Sequence, residues 1–129
     1  MVKIFCKVMG FILIVAAIIG FVNPQFLGLH LSAWHSVIHL ISGAVALYFG
    51  YLASLSTART FCWVFGAVYL ILGLLGFIAP SLMAAILQAQ PSVNLAADNV
   101  LHLLLGVAFL AAGFLRGGAQ LPQQPMRTA

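Results

Sequence analysis

The chain has 129 residues, of which 64% are hydrophobic and only 5% charged. A water-soluble domain of this length has too little interior to hide so much apolar surface, so lipid is the solvent for most of it. Five basic residues against one acid, Asp98, give a net charge of +4. They flank apolar runs, with no basic patch interleaved with aromatics, no phosphate loop and no zinc-type cysteine pair, which sets aside nucleic acid as a partner.

A first apolar segment covers about residues 4–22, with Lys3 and Lys7 at its start and Asn23-Pro24 at its end. A positive start before an apolar run is also the pattern of a secretory signal. No small-x-small cleavage site precedes a polar mature domain here, so the segment is read as a retained span. A loop from Asn23 to Ala33 leads to a second segment, 34–55, where Ser32 is placed to cap the helix and Trp34 lies where an interfacial aromatic belongs. At about 1.5 Å per residue this segment reaches roughly 33 Å, enough to cross the hydrocarbon core. Ser54 to Arg59 reads as a tight turn into a third segment, 60–79, stopped by Pro80.

The longest loop, 81–97, contains the apolar run Leu82 to Leu87. That run is too short to span and is expected as an interfacial half-helix or a packed lid. The fourth segment is 98–115. The tail 117–129, rich in Gly, Gln and Pro, lacks apolar periodicity and is expected to be mobile beyond a membrane domain of residues 1–116.

Lys3, Lys7, Arg59, Arg116 and Arg127 all fall at the N-terminus, the loop between segments two and three, or the tail. With four spans, the excess of positive charge on cytoplasmic loops places both termini in the cytoplasm, in a bacterial inner or thylakoid-type membrane.

An internal repeat runs through this pattern. Phe5-Cys6-Lys7-Val8-Met9-Gly10 returns as Phe61-Cys62-Trp63-Val64-Phe65-Gly66, and Gly20-Phe21-Val22-Asn23-Pro24 as Gly76-Phe77-Ile78-Ala79-Pro80. His39-Leu40, Gly43, Leu47 and Gly50 match His102-Leu103, Gly106, Leu110 and Gly113. Two tandem two-helix copies of like orientation are therefore expected, with His39 and His102 level near the non-cytoplasmic surface. Cys6 and Cys62, equivalent in the repeat and near the cytoplasmic face, read as small packing residues.

Helical spacing puts His35, His39, Gly43, Ala46 and Gly50 on one face, and Asp98, His102, Gly106, Phe109 and Gly113 on the matching face of segment four. Each face is a polar tip above a small-residue stripe. Small residues let helices approach closely in lipid, so segments two and four are expected to meet along Gly43, Gly50, Gly106 and Gly113.

His35, His39, Asp98, Asn99 and His102 form the candidate site, because ionisable groups in a bilayer are costly. They could simply bond across the helix junction, with Asp98 capping segment four. Alternatively, His39 and His102 could ligate a b-type haem or a chlorophyll, or the set H-x3-H and D-x3-H could hold zinc, copper or non-haem iron. A proton pathway finds no acid or amide continuing below the cluster.

The H-x3-H-L-x2-G motif at His35, His39 and Gly43, the D-N-x-L-H-x3-G motif at Asp98, Asn99, His102 and Gly106, and the G-F-x-x-P segment ends carry a resemblance. The chain resembles a family of small, uncharacterised four-helix bacterial membrane proteins known only as a domain of unknown function. The likeness covers about residues 10–114, and Ser36 departs from the asparagine that follows the first histidine in that pattern. It implies a four-span fold and brings no catalytic residue.

The expectation is an all-α integral membrane four-helix bundle, non-enzymatic and structural or accessory. It would be a subunit of a larger complex or a homo-oligomer, with lipid as its main partner and no cofactor. Tetrapyrrole or metal binding through His39 and His102 is the alternative.

Overall fold

A computed structural model describes residues 1–90 and 93–115; the tail expected at 117–129 lies outside the described residues. The described residues form helices α1 (Val2–Val22), α2 (Ala33–Tyr51), α3 (Leu55–Ile78), α4 (Pro80–Ile86) and α5 (Ala96–Phe114), with a single 3-10 turn at Phe26–Gly28 and no strand. Four of them, α1, α2, α3 and α5, are long and apolar enough to cross a membrane.

The span boundaries differ most at the second turn. There α2 ends at Tyr51 and α3 begins at Leu55, so Leu55 to Arg59 are helix rather than turn. Ser54 is the N-cap: its Oγ accepts the Thr57 N–H at 3.2 Å, satisfying one of the amides that a helix start leaves free. Pro80 does end the third span, but it also occupies the first turn of α4, where a missing N–H removes no helical bond. Met83, Leu87 and Leu95 are buried together against Leu72 of α3, while Leu82 and Ile86 of the same apolar run face outward.

Helices pair as α1 with α2 and α3 with α5, each pair antiparallel and in backbone contact through glycine. A Cβ on Gly43 would lie 2.8 Å from the Gly10 carbonyl oxygen, and one on Gly106 would lie 2.9 Å from that of Gly66. Gly50 packs on Lys7 of α1, and Gly113 on Trp63 of α3. This corrects the expected seam. Gly43, Gly50, Gly106 and Gly113 are packing residues, but α2 and α5 do not meet along them. The stripes that receive them are on α1 and α3, where Gly10, Gly20, Gly66, Gly73 and Gly76 are also buried.

The two pairs join at two levels. At the end carrying Lys3 and Lys7, Cys6 and Cys62 are fully buried with their Sγ atoms 3.5 Å apart. Beside them, the Phe5, Phe61 and Phe65 rings pack edge-on or tilted around Phe109, whose centroid lies 5.0 Å from that of Phe5. Both cysteines are free thiols filling space, as expected. The outward faces carry large apolar side chains such as Ile4, Phe11, Ile18, Ile71, Leu74, Leu104 and Val107. With small residues inside and large ones outside, the distribution suits hydrocarbon, where packing rather than water exclusion holds helices together.

Candidate functional site

At the opposite end the first turns of α2 and α5 bring their polar residues inward. Ser32 caps α2, its Oγ accepting the His35 N–H at 3.2 Å as the sequence suggests. The same hydroxyl donates to the Leu87 carbonyl at 2.9 Å, tying this turn to the end of α4. His35, His39, Asp98, Asn99 and His102 are all buried, none more than 8% exposed.

The histidines converge. The His35 ring centroid lies 4.3 Å from that of His39 and 5.6 Å from that of His102. One ring nitrogen from each of the three lies within 4.8 Å of the others. His35 Nδ1 is 2.8 Å from the His30 carbonyl oxygen. A carbonyl only accepts, so Nδ1 carries the proton, and in the neutral ring Nε2 keeps its lone pair. Among the described residues, His35 Nε2, His39 Nδ1 and His102 Nδ1 are buried with no hydrogen-bond partner.

Asp98 sits behind this cluster rather than in it. Its carboxylate accepts the His30 N–H at 3.0 and 3.2 Å, and Oδ1 lies 3.9 Å from His35 Nδ1. Of the two structural roles open to Asp98, a cap does not hold, since the N-cap of α5 is Leu95; the carboxylate, in the first turn, instead bonds across to the loop of the other half. The helix dipole still favours a carboxylate there. Asn99 does not join the histidines. Its amide packs against Gly76 of α3 and lines a separate cavity of about 610 Å³ beside α4.

Two residues of this region were not singled out from sequence. His30 supplies both backbone groups that hold His35 and Asp98. Tyr69, with its ring centroid 5.5 Å from that of His102, is buried, and its hydroxyl has no partner among the described residues. A tyrosine in the middle of an apolar span, away from either interface, is the signal that marks it.

Three imidazole nitrogens this close, with a carboxylate behind one ring, could hold a transition-metal ion. Metal–nitrogen bonds of about 2.0 Å would bring the ligating atoms to roughly 3.4 Å apart, a closure of about 1.4 Å or less that side-chain torsions can supply.

Four apolar membrane-length helices around a buried polar cluster define a polytopic integral membrane protein. The chain belongs to the family described as Domain of unknown function (DUF4383), which matches residues 3–115. We found no significant match among curated proteins or among solved structures.

Proposed function

We propose that this is an accessory membrane protein, not an enzyme, that holds one transition-metal ion on His35, His39 and His102. What carries the proposal is the convergence of three buried imidazoles that each retain a ring nitrogen without a partner among the described residues. A purely structural clamp would pair such nitrogens, because a buried unsatisfied polar atom costs about 1–3 kcal/mol. A planar tetrapyrrole between His39 and His102 is less well supported, since the His35 ring stands in the space it would need.

The expected result is about one tightly held transition-metal ion per chain by mass spectrometric metal analysis of the detergent-purified protein. His35→Ala and His102→Ala should each weaken it by roughly 100-fold or more. A preparation that takes up neither Cu(I) nor Zn(II) on titration would sink the proposal. A Soret band abolished by His102→Ala would replace it with a tetrapyrrole.

We further propose that both termini are cytoplasmic, in a bacterial inner or thylakoid-type membrane, with the histidines near the other face. The support is charge. Lys3 Nζ donates to the Tyr51 carbonyl, Lys7 stands over the Tyr51 ring and Arg59 Nη2 donates to the Leu115 carbonyl, all at the end away from the histidines. Leu27→Cys, in the exposed loop before α2, should react with an impermeant maleimide on intact cells, while Cys6 and Cys62 stay unlabelled because they are buried. Labelling only after permeabilisation would invert the topology.

The halves are proposed to be tandem copies. Supporting this, Ser36 packs on Gly20 as Asn99 packs on Gly76, and Gly43 meets Gly10 as Gly106 meets Gly66.

A further inference from the structure

We propose that the cavity between α3, α4 and the start of α5 binds a neutral lipid with a hydroxyl head, held by Asn99. This site stands apart from the histidines and does not depend on a metal. Its volume of about 610 Å³ falls in the range of small-molecule sites. So does the character of its walls, which are mostly apolar through residues such as Phe77, Pro80 and Ala85, with Ser81, Asn94 and Asn99 as polar groups.

Asn99 forms the floor. It lies in the first turn of α5, 3% exposed, with its amide against Gly76. Its Oδ1 is buried with no hydrogen-bond partner among the described residues. A polar atom left unpaired in an apolar interior is costly, and a ligand donor removes that cost. The contrast with the other half is informative. Ser36 packs on Gly20 as Asn99 packs on Gly76, but the Ser36 hydroxyl donates to the Leu31 carbonyl at 3.4 Å. Asn94, at the rim, is engaged as well, its Oδ1 accepting the Ala96 N–H at 2.9 Å. The longer connection between α3 and α5, with α4 inside it, walls the cavity that leaves Asn99 open to a ligand.

The surroundings select the head group and the route of entry. A carboxamide presents an acceptor and a donor side by side, and one hydroxyl answers both. None of the lining residues is charged. Lys3, Lys7 and Arg59 are engaged at the far end of the bundle, so among the described residues no cation is placed to neutralise a phosphate or a carboxylate. Phe77, at the mouth, is 52% exposed and continues the outward apolar face of Ile71 and Leu74 on α3. The mouth therefore opens to the bilayer, and a lipid enters sideways with its hydroxyl on Asn99 and its chain along Phe77.

The full-length protein in phosphatidylcholine vesicles is irradiated with a long-chain primary alcohol carrying a diazirine in its chain, and adducts are mapped by mass spectrometry. The expected result is saturable labelling within residues 76–99, competed by the unlabelled alcohol and at least about fivefold less by its methyl ether, which has lost the donor. Asn99→Ala should raise the half-saturating concentration about fivefold or more. Ala85→Trp, at the exposed rim, should abolish this labelling by filling the mouth, whereas Leu104→Ala on the outer face of α5 should leave it unchanged. Equal competition by the methyl ether, or labelling indifferent to both cavity variants, would overturn the proposal and leave only unspecific lipid contact. Should Asn99→Ala fail to fold, Ala85→Trp and the methyl ether comparison on the wild-type chain decide.

Discussion

Gly106→Leu is expected to destabilise the detergent-solubilised protein by about 3 kcal/mol or more, the upper end of overpacking effects. Even a bare Cβ at this position would lie 2.9 Å from the Gly66 carbonyl oxygen and 2.7 Å from the Leu70 backbone nitrogen. Those atoms belong to the backbone of α3, so no side-chain rotation relieves the clash, and the two helices must separate along their length. In lipid nothing else replaces that contact, because helix association there depends on close packing. Unfolding in SDS, followed by tryptophan fluorescence, measures the effect. Leu104→Ala, on the outward face of the same helix, should change stability by less than about 0.5 kcal/mol, since lipid tails are as apolar as leucine. An SDS midpoint unmoved by Gly106→Leu would contradict the α3–α5 pairing.

Asp98→Ala is expected to cost about 1.5–3 kcal/mol, the range for hydrogen bonds to a charged group. The carboxylate accepts the His30 N–H through both oxygens, spanning 68 positions in sequence and joining the α1–α2 loop to α5. Its loss leaves that amide without its partner and removes the anion beside His35. Hydrogen exchange read by mass spectrometry should be faster across residues 23–32, with α1 and α3 unaffected. Unchanged exchange in that loop would mean that Asp98 does not hold it. Asp98→Asn retains an acceptor for the His30 N–H and should lose much less stability.

Much of the architecture was legible in the residues. Mean apolarity located the four spans, and Ser32 announced the start of α2 because a hydroxyl before a helix satisfies a free amide. The turn at Ser54 was misplaced by the same chemistry: Ser54, Ser56 and Thr57 look like loop residues, yet Ser54 caps α3 and the others lie in its first turn. His35, His39 and His102 were recognisable as a group from their spacing. Their mutual approach within 4.8 Å, and the separation of Asn99 toward Gly76, were not. For Asp98 the sequence left open a bond across the helix junction or a cap, and a cap is the local interaction that sequence can suggest. Its actual partner lies in another loop, and no local pattern points to it.

Amino-acid sequence by itself determined that the chain lives in lipid, where each span lies, and which side chains carry charge. Hydropathy and charge act on each segment independently of its neighbours, so they can be summed along the chain. Tertiary structure alone decided that the glycine stripes of α2 and α5 face α1 and α3, and not each other. It also decided that His30 bonds to Asp98 and that the three imidazoles converge within 4.8 Å. In lipid, every apolar helix face is about equally well solvated, and the choice among partners rests on the fit of surfaces far apart in sequence.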